Sequence, residues 1–227
     1  AGLFTIVKVN FFRSQNSSIT QRFAMIAQPQ TPRTCAPETY LEQEVRSDVR
    51  HEYRNGEIIP MTGGTPNHNQ ILLNLAAELN FGLKRQPYRV FAADQRLWIP
   101  EPNIYTYPDV MVVQGELVYQ QGRRDTIMNP LVIVEVLSKS TQNYDRGDKF
   151  VAYRTIPSFQ EYWLVDQYAY HVERYVKTAD KQWLFQEYDA ADATVALQSC
   201  ELTIALHDLY DKVEFEPPEA ATVTPTE

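Results

Sequence analysis

The strongest constraint on the fold is a change of hydrophobic period between residues 67 and 166. From Asn67, the residues Ile71, Leu72, Leu75, Leu79 and Leu83 return every three or four positions, which predicts an amphipathic helix ending before Pro87. Three segments rich in Val and Ile follow, bounded by Pro, Gly or Asn: Tyr88–Ala93 with Arg96–Ile99, then Asp109–Val113, then Leu131–Leu137. These predict three strands in succession. A polar break leads to a second helix over about Tyr144–Thr155, and Pro157 precedes a further strand, Glu161–Asp166. The order helix, three strands, helix, strand indicates an α/β (α+β) domain with a mixed central sheet flanked by helices.

Extra elements flank this core on both sides. Pro37 is suited to the first turn of a short helix through Leu41, and His51–Thr62 reads as two short strands around Asn55-Gly56, a dipeptide adapted to positive φ. On the other side, Tyr170–Lys177, Trp183–Tyr188 and Thr194–Leu197 have strand composition. The expected organisation is a flexible extension over 1–36, one folded domain over 37–215 and a disordered tail over 216–227, where PPEAATVTPTE is of low complexity.

Composition narrows the function classes. With 44% apolar and 22% charged residues, the chain has the profile of a soluble globular protein. No run approaches the roughly 20 apolar residues that span a bilayer, and Lys8 and Asn10 interrupt the nearest candidate, residues 1–12. Cys35 and Cys200 form neither a disulfide framework nor a CxxC pair, which fits a reducing cytoplasm. The net charge of −8 argues against a chain-wide nucleic-acid footprint. The charge is uneven, however: residues 201–227 hold seven acids and one Lys, whereas residues 84–154 hold ten Lys and Arg against eight acids. The central segment therefore permits a nucleic-acid partner without indicating one.

Chemistry concentrates in that segment. Asp109 follows Tyr107-Pro108 at the start of the second strand, and Glu135 interrupts the apolar run LVIVEVL, where a carboxylate is costly without a partner or a metal. Neighbouring strands lie about 4.8 Å apart, so two such carboxylates can converge on one ion if their strands pair. Local alternatives are a turn role for Asp109 and an edge-strand role for Glu135. Asp145, Lys149 and Tyr153 recur every four residues and share one helical face; the plain alternative is a surface ion pair between Asp145 and Lys149. His51, His171 and His207 match no metal-ligand spacing, and both GxxxxGK[ST] and GxSxG are absent.

The element order and the placement of the acids resemble the core of the PD-(D/E)xK nucleases. Tyr107-Pro108-Asp109-Val110 is similar to the PD motif, and Val134-Glu135-Val136-Leu137-Ser138 to the (D/E)xK motif with Leu137 in the lysine position. More closely, HEYRNGE (51–57), NHNQILLNL (67–75), YPDVMVV (107–113), VEVLSKST (134–141), DRGDKFVAY (145–153) and FQEYWLVD (159–166) resemble the Uma-type restriction-endonuclease family. The resemblance implies a restriction-endonuclease-like fold and a Mg²⁺-dependent DNA endonuclease, with Mn²⁺ as an alternative ion. Asp109 and Glu135 would hold the ion, and Lys149 on the second helix would replace the missing strand lysine, leaving Lys139 as a solvated loop charge. By the same resemblance His68 would position metal-bound water or touch the scissile phosphate; read locally, it is a polar residue of the helix's first turn. Asp94, Arg96 and Asp145 would flank the site, although Asp94 and Arg96 can equally pair with each other.

Two further readings stay open. One is a binding or accessory protein, with a homodimer as one form of it, that keeps the nuclease fold without cutting. The other is a glycosidase with Asp109 and Glu135 as acid and base, which leaves the lysine unexplained. The nuclease reading requires Asp109 and Glu135 to share a face on neighbouring strands. It also requires Lys149, rather than Lys139, to face them.

Overall fold

The computed structural model describes residues 34–215. Residues 1–33, most of the expected extension, and 216–227, the expected tail, lie outside the described residues.

The organising element is strand β8 (Val132–Leu137), buried at every position. It pairs antiparallel with β6 (Val110–Gln114) and parallel with β9 (Glu161–Asp166), and β6 pairs antiparallel with β3 (Tyr88–Ala92). Two more strands, β10 (Val172–Ala179) and β11 (Gln182–Tyr188), complete a six-stranded mixed sheet of order β11-β10-β9-β8-β6-β3. The parallel step from β8 to β9 requires a crossover, and the second helical segment supplies it.

Side-chain alternation divides the core between the two faces of this sheet. On one face, Val132, Val134 and Val136 meet Ile71, Leu75 and Leu79 of helix α2 (Pro66–Gly82). Each of those three α2 residues is fully buried, which is worth roughly 1.5–3 kcal/mol per side chain. On the other face, Ile133 and Leu137 pack with Met111, Val113, Ala152 and Tyr153. Asp109 and Glu135 belong by alternation to this second face, the one covered by the crossover helix.

That helix runs continuously from Gln142 to Tyr153, but its middle turn is π-helical: α3 (Gln142–Tyr144), a π turn (Asp145–Lys149) and α4 (Phe150–Tyr153). Single π turns of this kind are frequent at functional sites. Here the turn begins at Asp145 and ends at Lys149, both buried.

A second, five-stranded sheet of order β2-β1-β5-β4-β7 forms from β1 (His51–Arg54), β2 (Glu57–Pro60), β4 (Arg96–Ile99), β5 (Ile104–Thr106) and β7 (Thr126–Ile127). The β1–β2 hairpin turns at Asn55 and Gly56, with φ of 47° and 99°, as the dipeptide predicts. The short helix α1 (Pro37–Glu44) packs its Tyr40 against Tyr53 and Tyr105 of this sheet. Cys35 is tied to the hairpin through its backbone N–H, which donates to Gly56 O at 2.8 Å.

One expectation needs correction. Tyr88–Ala93 and Arg96–Ile99 do not extend a single strand of the central sheet. Ala93 adopts a positive φ of 56°, and the chain turns there so that β3 stays in the central sheet while β4 enters the second. The C-terminal part closes with a two-stranded ladder, β12 (Thr194–Leu197) and β13 (Leu202–Ala205), and the short helix α5 (Leu206–Leu209). Among the described residues no helix is long and apolar enough to cross a membrane.

Candidate active site

The register that pairs Val110 with Val134 places Asp109, one residue before β6, directly opposite Glu135. The two then interlock through each other's backbone. The Val136 N–H donates to Asp109 Oδ2 at 2.8 Å, and the Asp109 N–H donates to Glu135 Oε2 at 3.3 Å. The acids therefore share a face, Glu135 within β8 and Asp109 at the lead-in to the neighbouring β6, as the nuclease reading required.

Glu135 is 3% exposed, and the crossover helix supplies its partners. The Tyr153 hydroxyl donates to Glu135 Oε1 at 2.7 Å, and Lys149 Nζ lies 3.0 Å from the same oxygen. That ammonium is shared: it also lies 3.3 Å from Asp145 Oδ1 and 3.7 Å from Glu52 Oε1. Burial works against the charge on Lys149, but Glu135, Glu52 and Asp145 outweigh it and hold the ammonium protonated well above the usual range. One cation cannot satisfy three acids equally. Burial pushes the Glu135 carboxyl well above the usual carboxylate range; Lys149 opposes this, and nearby Asp109 and Asp145 reinforce it. At Glu52 burial also acts upward, but Lys149, the Thr106 hydroxyl and Arg54 together bring the carboxyl below its ordinary value.

His68 approaches from the other side. Thr65 caps α2 by accepting the His68 N–H at 3.1 Å, which holds His68 in the first helical turn. Its Nε2 lies 3.3 Å from Asp109 Oδ2, while its buried Nδ1 has no partner among the described residues. Burial acts to lower the His68 pKa, but the bond to Asp109 prevails and raises it. Gly64 makes this placement possible: a Cβ there would stand 2.6 Å from His68 Nδ1. The acids, Lys149 and His68 line a common cleft of about 400 Å³, together with the segments 59–65 and 138–141 and with Tyr144.

A family model described as "Putative restriction endonuclease", Uma2, matches residues 37–207. The chain belongs to the Uma2 family. It is 42% identical over 156 residues to "Uncharacterized protein sll1609" of Synechocystis, covering 69% of this chain and 88% of that protein. It is also 35% identical over 182 residues to "Uncharacterized protein slr1290" of the same organism, covering 79% and 93%. A crystal structure titled as a "putative nuclease belonging to DUF820" from Anabaena variabilis superposes with a TM-score of 0.61 at 21% identity, covering 76% of this chain and 96% of that one. That likeness carries the fold, and the restriction-endonuclease-like α+β architecture read from the sequence is borne out.

Within this Uma2 domain the candidate residues divide cleanly. Asp109, Glu135, Lys149, Asp145 and His68 come together at the cleft. Asp94 and Arg96 do not line it, and they do not pair with each other. Asp94 is 67% exposed and bound to Arg50 at 2.6 Å, whereas Arg96 is buried against Asp125 at 2.6 Å and Thr126 at 3.0 Å. The reversal at Ala93 that sends β4 into the second sheet separates them from the acids. Lys139 is exposed at the rim, 5.3 Å from the Tyr168 ring centroid.

Two residues of the cluster, Glu52 and Arg54, and the bond from Tyr153 to Glu135 were not singled out from the sequence. Tyr153 had a signal, its four-residue spacing from Lys149. Glu52 and Arg54 lie in the stretch HEYRNGE, yet no local pattern reveals that the second sheet carries them to the crossover helix. Among the described residues no group of three or more His, Cys, Asp or Glu is arranged to hold a metal. The available donor set is two facing carboxylates, hard oxygen ligands of the kind that suit Mg²⁺ with water completing its shell. It does not suit a closed zinc site.

Proposed function

We propose that this cleft hydrolyses phosphodiester bonds in DNA with a divalent cation, Mg²⁺ or Mn²⁺, held by Asp109 and Glu135. The observation that carries the reading is the charge imbalance around Glu135: it shares the Lys149 ammonium with Asp145 and with Glu52, which alone of the three also has Arg54. Asp109 stands directly across the ladder, so four carboxylates meet one ammonium and one guanidinium. Such a cluster favours an added cation. When bound, the ion would polarise a phosphoryl oxygen and make water more acidic.

The chain's own residues divide the remaining tasks. Asp109 and Glu135 present oxygen ligands whose orientation is fixed by each other's backbone, by Tyr153 and by His68. Lys149 stays protonated, so it serves as a positive charge that orients water and offsets charge on the reacting phosphate, rather than as a general base. His68 holds the Asp109 carboxylate from the helix side.

The test combines cleavage with melting. Plasmid, linear and single-stranded DNA are incubated with Mg²⁺, Mn²⁺ or EDTA, and Tm is followed with and without the cation. Wild type should cleave only with the cation and gain stability from it. Lys149→Ala should lose cleavage and keep the cation-induced rise in Tm. A cation-induced rise without cleavage of any substrate would favour the second reading, a nuclease-fold binding protein. That reading draws support from the net charge of −8 and from the two-carboxylate donor set.

A further inference from the structure

The acids of the cleft explain how a cation would be held, but not what grips a polyanionic substrate. Arg54, Lys139 and Lys149 are the Lys and Arg side chains lining the cleft among the described residues. Lys149 is buried and occupied by three carboxylates. Lys139 is an exposed rim residue over Tyr168. Arg54 differs from both. Its side chain is 28% exposed, its guanidinium carbon sits 3.4 Å from the Tyr144 ring centroid, and its Nε and Nη2 both donate to one oxygen of Glu52. Among the described residues its Nη1 has no hydrogen-bond partner. A guanidinium carries five N–H donors, so more than half remain unspent while the group is already held in plane by the ring and by Glu52.

We propose that Arg54 is the phosphate-binding residue of this cleft, gripping a substrate phosphate with the donors that Glu52 leaves open. This rests on the phosphodiester reading above and extends it to the substrate contact. The role suits the residue type: the guanidinium fork matches two phosphate oxygens, whereas an ammonium acts as a point charge. It suits the position too, because Glu52 contacts both Arg54 and Lys149 and so couples the grip to the acid cluster. Pre-fixing the guanidinium against Tyr144 also reduces the rotamer entropy lost on binding.

The probes are fluorescently labelled duplex DNA, its single strand and the matching RNA, titrated in Ca²⁺ across a salt series, with cleavage measured separately in Mg²⁺. Arg54→Gln should weaken binding about tenfold, as expected for the loss of one charge-assisted contact, and should lower the slope of log affinity against log salt by about one. Arg54→Lys should restore the slope and only part of the affinity. In cleavage assays the loss should fall mainly on KM. Arg89→Gln, on the exposed edge strand β3 and outside the cleft, should behave as wild type.

If Arg54 serves only as the counter-ion of Glu52, Arg54→Gln will lower Tm and leave affinity and slope unchanged, which overturns the proposal while the nuclease reading survives. Wild type that binds none of the three probes overturns both. Should Arg54→Gln fail to fold, Glu52→Gln/Arg54→Gln removes the orphaned acid as well, and the same loss of slope is expected from it.

Discussion

Glu135 and Glu161 sit on adjacent parallel strands of one sheet, both buried, and they face opposite sides of it. Glu161 is 0% exposed and completely supplied: Oε1 accepts from Arg174 Nε and from Trp163 Nε1, each at 2.8 Å, and Oε2 accepts from the Ser199 N–H at 2.9 Å. One acid meets one cation, and the strand's neighbours close the rest. Glu135 meets one ammonium that two other acids also claim, and it opens on a cleft. The contrast separates two uses of a buried carboxylate. A balanced one stabilises a single arrangement of its surroundings. An unbalanced one, in the function proposed above, is what an added cation would complete.

Four changes can break or sharpen this contrast. The largest effect should come from Arg174→Ala, which leaves Glu161 buried without its cation and should cost about 3–5 kcal/mol in denaturant unfolding. Cys200 reports on the same side: burial, followed by Glu161, pushes its thiol up to about 12. It should therefore resist alkylation at about pH 8 in the wild type and react in the variant only through opening of this side to solvent, since an unpaired Glu161 by itself disfavours the thiolate further. A loss under about 1 kcal/mol would show that the pair is not what holds this side together.

Gly64→Ala should come next, at about 1–3 kcal/mol, because the new Cβ collides with His68 and displaces the ring from Asp109. Cleavage should fall alongside. Unchanged stability and cleavage would mean that the His68–Asp109 contact is dispensable.

Glu135→Gln should change stability by less than about 1 kcal/mol. It removes one claim on Lys149 and relieves repulsion among the acids, whereas a well-supplied carboxylate would lose more. The cation-induced rise in Tm should largely vanish while the protein stays folded, and an equal cation response in variant and wild type would remove the proposed ion site. Asp94→Ala should show the smallest effect, within about 0.5 kcal/mol and with cleavage intact, since its pair with Arg50 is exposed and outside the cleft. Lost cleavage there would place the substrate path across the second sheet.

Much of the site is legible in the sequence. Glu135 stands out because an apolar run surrounds it and Asp109 because Tyr107-Pro108-Asp109-Val110 resembles the PD motif, and strand periodicity then requires a shared face once their strands pair in this register. Lys149 shares a helical face with Asp145 and Tyr153 by its spacing, but its place at the site comes from the resemblance to the Uma-type family, and the turn carrying it is π-helical. Asp94 and Arg96 mislead, because a stretch of strand-forming residues looks continuous until a positive φ at Ala93 divides it between two sheets. Glu52 and Arg54 are silent for the converse reason: a short hairpin reveals its turn but not what its strands will face.

By itself the sequence determined the periodicities: which segments are helices and strands, which side chains share a face, and where a carboxylate would be expensive to bury. Those properties depend on residues close along the chain and on fixed geometric repeats. Tertiary structure decided the pairings across distance. It spent Asp94 and Arg96 on Arg50 and Asp125, brought Glu52 to Lys149 across 97 positions of sequence, and divided one ammonium among three acids. Such contacts arise only where two sheets and a crossover helix converge, and the strength of each charge there depends on burial and on every neighbouring charge.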